Sequence, residues 1–449
     1  MLKNVDVLII GGGAAGIVSA LFGKSLYKEK SFMVIKKNKT TLIPCAIPYT
    51  FSYLGGTDKD AISNEVLTKN GIELLIDEVT EIDIDKKVCK TKNDEISYDK
   101  LIIATGSIPK VPRWLKGADL ENVFTITKDK DYLDNLISRL DQFKRITIIG
   151  GGFIGVEVAG ELINKDKQVT IVEILPYVLS AAFDQEIAMK AQEILSSKGV
   201  NVITNKGVRE LAGDKEVKKV ILQDGTELET DAVILSMGYV PNTELAKRSN
   251  IKLNSMGFIE VDNFMRTSAL DVFAVGDCAE KKDFLTNKPI PVMLASVACT
   301  ESRIAAMNLY SSRITNKGTI GIFSTVIDGV VFSSAGITES KAKELGINVI
   351  TSTFETMDKH PGILPQANKQ LVKLIVIRDS GQVIGGEVIG SEYASELINV
   401  IGRLIENKTT LYDIIKMQVA THPLITAAPT SYPIIKAAEI LISKLKQTN

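Results

Sequence analysis

Histidine, cysteine and tryptophan are scarce in this 449-residue sequence: two, four and one. The cysteines, Cys45, Cys89, Cys278 and Cys299, show neither a Cys-x-x-Cys nor the paired spacing of a metal site. A disulfide framework is therefore excluded as the organising principle, no metal is expected, and a reducing, cytoplasmic compartment fits. Charge of one sign is not in excess either, since 53 basic residues face 54 acidic ones. A chain so nearly neutral offers no long-range field to nucleic acid or to a membrane surface, and no partner of either kind is expected. Long hydrophobic runs are also missing. No stretch of about 18 uninterrupted apolar residues occurs, which excludes a membrane-spanning helix. The apolar start, Val5-Asp6-Val7-Leu8-Ile9-Ile10, is interrupted by Asp6 and followed directly by three glycines, so it reads as a buried first strand and not as a signal peptide.

What the chain does have is length enough for about three domains and an internal repeat. Residues 9–20, IIGGGAAGIVSA, and 148–159, IIGGGFIGVEVA, agree at seven of twelve positions. Each follows a strand-like run and opens an apolar-periodic segment, which implies two copies of one βαβ unit. Between them Leu101–Gly106 and a loop rich in proline and glycine, 107–116, look like a crossing between domains, and Tyr239-Val240-Pro241-Asn242 like the return. The second unit continues through a strand at Val169–Glu173 and a helix near 184–198, and a helix near 293–310 closes this part. From about residue 320 the pattern changes. Lys373–Arg378 and Val383–Val388, joined at Asp379-Ser380-Gly381, read as a hairpin, and helices are expected near 391–407, 410–418 and 432–446.

Gly11-Gly12-Gly13-Ala14-Ala15-Gly16 has the Gly-x-Gly-x-x-Gly spacing between a strand and a helix, where the spacing has a mechanism. The first glycine, Gly11, permits the tight turn, Gly13 lets a pyrophosphate approach the backbone, and Gly16 lets helix and strand pack closely. The helix start at Ala14 and Ala15 then offers amide donors to the phosphates. Such a loop alone also occurs for packing reasons. The second copy, Gly150-Gly151-Gly152-Phe153-Ile154-Gly155, strengthens the reading because Glu173 lies eighteen residues beyond Gly155. A carboxylate there accepts from ribose hydroxyls and repels a 2'-phosphate, which favours NADH over NADPH. The first copy has no such acid: its second strand runs into Lys36-Lys37, so the adenosine ribose must be held another way.

Two dinucleotide units, the crossing Ala104-Thr105-Gly106 and a late Gly276-Asp277 resemble the two-dinucleotide-binding flavoproteins that include glutathione reductase and lipoamide dehydrogenase, over essentially the whole chain. Pro44-Cys45-Ala46-Ile47-Pro48-Tyr49 is similar to the single-cysteine branch of CoA-disulfide reductases, NADH oxidases, NADH peroxidases and CoA-persulfide reductases. The resemblance implies an α/β protein of two Rossmann-like units with a C-terminal α+β dimerisation domain. FAD binding is expected in 1–115 and 241–318, NADH binding in 116–240 and dimerisation in 319–449. It also implies that Asp277 holds the ribityl chain, that Gly238 borders the cofactors, that Phe153 covers the flavin and moves for nicotinamide, and that a homodimer partner completes each site. Two departures stand out: the acidic FAD-ribose position is Lys36 or Lys37, and Pro44 stands where CoA-disulfide reductases usually carry Asn.

Cysteines outside disulfides are ordinarily small buried hydrophobes, and that is the expectation for Cys89, Cys278 and Cys299. Cys45 is expected beside the flavin, at the start of a helix that would lower its thiol pKa. The family's usual second cysteine, five residues on, is Thr50, which leaves an external disulfide, a persulfide or a sulfenic acid as its partner chemistry. His422-Pro423 resembles the His-Pro whose histidine acts on the partner's thiol, although the glutamate that orients it is replaced by Ala427. His360-Pro361-Gly362 aligns with a Tyr-Pro-Gly, and His360 reads equally as a structural residue or as a catalyst. Oxidases and peroxidases of the branch carry a histidine in the first glycine loop, where Ala14 and Ala15 stand. The reading is an FAD- and NADH-dependent reductase of a small disulfide, persulfide or polysulfide. The alternatives are an NADH oxidase and an electron-transfer reductase serving a small redox protein.

Overall fold

Val7, Leu8, Ile9 and Ile10 are all buried, with no polar residue alternating among them. Such a run belongs to the middle of a parallel sheet covered on both faces. In the computed structural model, which describes residues 2–447, their strand, Leu2–Ile10, lies between Phe32–Lys36 and Glu95–Ile103 and runs parallel to both. Glu73–Ile76 extends the sheet on one side and Val272–Ala274 pairs in parallel with Glu95–Ile103 on the other. Val79–Asp83 and Val88–Thr91 add an antiparallel edge. The helix Ala14–Leu26 buries small residues, Ala15, Gly16, Ser19, Ala20 and Gly23. The helix Ala295–Asn308 packs against it.

These elements belong to one of two compact units, comprising the chain through Trp114, Val123–Phe143 and Ile234–Thr319. The other comprises Leu115–Asn122, Lys144–Val233 and the residues from Ile320 on. It repeats the same start: Arg145–Ile149, the helix Phe153–Ile163, then Gln168–Val172 and Asn201–Ile203, with the strands parallel. The helix Gln185–Ser197 follows the 3.6-residue period, burying Ile187, Ala188, Ala191 and Leu195.

The C-terminal part of this unit is a five-stranded antiparallel sheet in the spatial order Ile322–Ile327, Val330–Gly336, Val383–Gly390, Lys369–Ile377, Val349–Met357. The expected hairpin is its centre. Leu397–Glu406 buries Ile398, Ile401, Gly402 and Ile405, and Pro433–Gln447 buries Ile434, Ala437, Ala438 and Leu441. Both are i, i+3, i+4, i+7 stripes, and each buried Ile or Leu contributes ~1.5–3 kcal/mol. Two expected helices are shorter than their apolar pattern. The stretch from 391 begins as a 3-10 turn, Glu392–Ala394, before the helix starts at Leu397. The one near 410 is a four-residue turn, Leu411–Ile414, closed by a capping box of Thr410 and Asp413.

Candidate active site

Three loops leave the first parallel sheet at the carboxyl ends of adjacent strands, where open α/β sheets bind ligands. They are Gly11–Gly16, Ala104–Gly106 and Gly276–Asp277. Their strands are stitched together there: Gly11 N–H donates to Ile35 O, Ala104 N–H to Ile10 O and Val275 N–H to Ile103 O, at 2.8, 2.8 and 3.0 Å. Gly11 has φ +116, and a Cβ on it would lie 2.1 Å from Ala104 O. A Cβ on Gly16 would lie 1.9 Å from Gly11 O, whereas one on Gly13, the residue before Ala14 and Ala15, would have nothing within 4 Å among the described residues. The loop is closed where strand and helix meet and open above the helix start, a cradle that fits the pyrophosphate of FAD.

Lys36 follows Ile35 as Glu173 follows Val172, the matching strand residues of the two units. Lys36 is 6% exposed, and its ammonium donates to Thr41 Oγ1 (2.8 Å) and Asn64 Oδ1 (2.6 Å), while Thr41 Oγ1 donates to Gly12 O (2.9 Å). Burial holds its pKa below the usual lysine value. Lys37 points elsewhere, to an exposed ion pair with Glu78. Asp277 Oδ2 accepts from Ser107 Oγ (2.7 Å) and Lys128 Nζ (2.9 Å). Burial pushes this carboxyl up, but the Lys128 ammonium and the Ser107 hydroxyl outweigh it and hold Asp277 below the usual carboxylate range. Thr105 and Gly106 are tied to Asn242 through Thr105 Oγ1 to Asn242 O (2.6 Å) and Asn242 N–H to Gly106 O (2.9 Å).

Cys45 is exposed, whereas Cys89 and Cys278 are buried in the core and desolvation raises both thiol pKa values. Cys299 is half-buried. The helix expected to begin at Cys45 is a five-residue 3-10 turn, Ile47–Phe51. Pro48 suits its first turn, but Tyr49 and Thr50 are weak helix formers and Gly55-Gly56 follow. So short a turn carries little dipole, and the helix-terminus argument for a lowered Cys45 pKa does not hold. Thr50 is buried and donates to Ile47 O at 2.7 Å.

In the second unit Gly150 N–H donates to Val172 O (2.9 Å), and a Cβ on Gly155 would lie 2.0 Å from Gly150 O. Gly152, like Gly13, faces open space among the described residues. Glu173, 8% exposed, accepts from Gly151 N–H through Oε2 (2.6 Å) and from Leu175 N–H through Oε1 (2.8 Å), so one oxygen braces the glycine loop and the other the turn that follows its own strand. Ile154 is half-buried on the first turn of the helix. Phe153 stacks on Phe323 (centroids 5.4 Å, planes 13° apart) and meets Phe183 edge-on at 6.0 Å. One turn on, Glu157 Oε1 accepts from Thr325 Oγ1 at 2.7 Å. Burial pushes the Glu157 carboxyl up to about 7 against that bond. Gly238, at φ +87, accepts Lys110 N–H through its carbonyl.

The two histidines share one loop system. His360 N–H donates to Pro423 O (3.0 Å), and its Nδ1 lies 3.0 Å from Thr426 O, an oxygen that can only accept, so Nδ1 carries a proton. His422 is exposed, and its Nδ1 accepts from Leu424 N–H at 3.2 Å. In the neutral ring the proton then sits on Nε2, and a backbone amide does the orienting that the missing glutamate would have done beside buried Ala427. Sequence reasoning had not singled out Thr41, Asn64, Ser107, Lys128, Glu157, Phe323 or Thr325. Most reach their partners from twenty or more residues away, and although Thr41 lies only five residues from Lys36, its bond to Gly12 O spans 29.

Two glycine-loop nucleotide units followed by an antiparallel C-terminal sheet define a two-dinucleotide oxidoreductase. Residues 5–301 match the family described as Pyridine nucleotide-disulphide oxidoreductase, and residues 322–432 its dimerisation domain. The chain belongs to this family. With it, the chain is an NAD(P)H-dependent flavoprotein oxidoreductase. It is 30% identical to the NAD(P)H coenzyme A polysulfide/persulfide reductase of Pyrococcus horikoshii, over 97% of this chain and 98% of that one. To an NADH oxidase of Enterococcus faecalis it is 29% identical, over 91% and 94%. Among solved structures, the NAD-dependent persulfide reductase from A. fulgidus superposes with a TM-score of 0.92 at 30% identity, covering 99% of this chain and 84% of that one. No helix among the described residues is long and apolar enough to cross a membrane.

Proposed function

We propose that the chain is an NADH-dependent flavoprotein that reduces a small disulfide, persulfide or polysulfide through Cys45, as a homodimer in the reducing cytoplasm. The observation that carries this is the contrast among its thiols: Cys45 is exposed, while the place of a resolving cysteine is taken by Thr50, buried and hydrogen-bonded to its own turn. The names of the Pyrococcus and A. fulgidus relatives support the sulfur substrate.

FAD is assigned to 1–115 and 241–318, NADH to 116–240 and dimerisation to 319–449. The Gly11–Gly16 amides would hold the FAD pyrophosphate and Asp277 its ribityl chain. Bound there, the flavin supplies a two-electron relay between nicotinamide and sulfur. The 150–155 loop binds NADH, and the buried charge of Glu173 disfavours a 2'-phosphate. Phe153, resting on Phe323, borders the nicotinamide end of that loop. Cys45 attacks one sulfur of the substrate and expels the other as a thiolate, to which His422 of the partner subunit would supply a proton; the mixed disulfide left on Cys45 would then be cleaved with the two electrons that the bound flavin supplies, releasing the second thiol and restoring Cys45. His360 braces the loop that carries His422. The sum is NADH, a proton and RSSR giving NAD+ and two RSH.

Anaerobic dithionite titration tests this. Oxidised beforehand with CoA disulfide, so that Cys45 holds a mixed disulfide, wild type should take up about two electrons per flavin more than Cys45→Ser treated alike, and the variant should lose NADH turnover with CoA disulfide or CoA persulfide. Equal uptake together with equal thiol-substrate turnover would overturn the role of Cys45. Sustained NADH turnover on oxygen alone would favour the oxidase reading that the Enterococcus relative's name suggests.

A further inference from the structure

Behind the loop that carries Asp277 lies a buried ion pair outside the chemistry described so far. Lys281 and Glu301 have side chains 0% and 1% exposed, with Nζ 3.4 Å from Oε2. Glu301, on the helix Ala295–Asn308, accepts Gly276 N–H through Oε2 at 2.8 Å. Lys281 donates to Gly276 O at 2.6 Å and to Ala279 O at 2.9 Å. The two partners of one ion pair thus hold the two polar backbone groups of Gly276, the residue before Asp277.

The same helix reaches the first glycine loop. Ser302 Oγ donates to Ala15 O at 2.8 Å. A Cβ on Gly276, whose φ is +74, would lie 2.9 Å from the Cβ of Ala15. Adjacent residues, Glu301 and Ser302, therefore fix two of the three loops at the carboxyl ends of the sheet. Apolar side chains of similar volume would fill this space at least as stably, because a buried ion pair seldom repays its desolvation. What apolar residues cannot do is bind an N–H and a C=O of the same glycine.

We propose that Lys281 and Glu301 are positioning residues for FAD: by clamping Gly276 they fix the direction in which the Asp277 carboxylate faces the cofactor. This rests on the assignment of FAD to the first unit. The clamp is also sensitive to pH. Burial pushes Glu301 up to about 7, the Asp277 charge adding to the rise and the Lys281 ammonium and Gly276 N–H opposing it. Its second oxygen, Oε1, has no hydrogen-bond partner among the described residues. A proton placed there turns the charge-assisted bond to Gly276 N–H into a weaker neutral one and removes the attraction to Lys281. Asp277, held low by Lys128, stays ionised over the same range.

The test uses holoenzyme and reads FAD dissociation from the recovery of flavin fluorescence on dilution, between pH about 5.5 and about 8.5. In the parent, release should quicken about tenfold as pH falls through about 7. In E301Q it should be about tenfold faster than the parent at the alkaline end and independent of pH. The double variant K281M/E301Q carries no lone buried charge, so its apoprotein melting temperature should match the parent's while it still sheds FAD about tenfold faster. Parental FAD release at the alkaline end in the double variant, or in a folded E301Q, overturns the proposal, as does a change confined to apoprotein melting. A parent that takes up no FAD would instead overturn the cofactor assignment beneath it.

Discussion

Lys36 and Glu173 stand at one place in two copies of one unit and carry opposite charge. Glu173 spends both oxygens on the amides of Gly151 and Leu175, so its charge is fixed beside the loop where a nucleotide ribose would lie. Lys36 cannot accept; its ammonium donates to Thr41 Oγ1, which in turn donates to Gly12 O, so here the loop is held through a carbonyl and not through an amide. Glu173→Gln keeps one acceptor and removes the charge. The proposed preference for NADH over NADPH, taken as the ratio of kcat/KM values in steady-state assays, should then fall at least about fivefold, since a unit charge repulsion at ~4 Å costs about 1 kcal/mol even in bulk water. An unchanged ratio would mean that nucleotide choice lies elsewhere. The positions of the glycines and of Glu173 were legible in the sequence because backbone geometry demands them at fixed spacing. Lys281–Glu301, Lys36–Asn64 and Glu157–Thr325 were not, since twenty or more residues separate each pair and either member alone resembles an ordinary surface residue.

At the scale of elements, Asp184 joins the second nucleotide unit to the C-terminal sheet. It stands at the N-cap of the helix Gln185–Ser197 yet leaves that helix uncapped. Its carboxylate accepts instead from Glu339 N–H, Ser340 N–H, Ser340 Oγ and the buried Lys373 ammonium, at 2.9, 2.9, 2.6 and 2.9 Å. Lys373 also faces Glu186, Glu339 and Glu387, and the desolvated Glu387 accepts Asp184 N–H at 2.7 Å. Asp184, Glu186 and Glu387 have the spacing of a cation site, and the cation they face is Lys373. Removing it with Lys373→Met should cost about 3–5 kcal/mol in thermal or urea unfolding, because the buried Asp184 carboxylate would lose its cation. Burial, with Asp184 and Glu186 nearby, pushes Glu387 up to about 8 from an ordinary 4.5. Its folded value exceeds its unfolded one, so the stability it contributes is full below about 4.5 and is lost as pH rises through about 8. Melting temperature should fall over that window in the parent and fall less in Glu387→Gln. This junction was invisible in the sequence, although the sheet it serves was half visible. The turn at Asp379-Ser380-Gly381 announced one hairpin. Asp328-Gly329, between Ile327 and Val330, is the signal of a second, with both turn residues at positive φ.

At the scale of the whole molecule, the two-unit plan was readable from the repeat, whereas the pairing of Cys45 with the partner's His422 was implied only by the resemblance and would belong to the proposed dimer. Pro423 and Thr426 tie the His422 loop to His360, and this region leaves Ile363, Leu424 and Ile425 exposed. Isolated apolar side chains on a surface are ordinary, but three beside two histidine loops suit a surface that a second copy covers. The proposed mechanism then has a consequence that no single-chain enzyme shares. Cys45→Ser alone and His422→Ala alone should each abolish disulfide reduction. If the two variants are co-expressed under different tags and the mixed dimer is isolated, one of its sites carries both substitutions and the other pairs an intact Cys45 with an intact His422. That dimer should recover about half the parental turnover with CoA disulfide, since one of two sites is whole. Were the histidine to act on the cysteine of its own chain, both sites of the mixed dimer would lack a partner and it would stay as inactive as its parents. Reduction of the flavin by NADH should proceed in all three proteins, which separates loss of thiol chemistry from loss of fold.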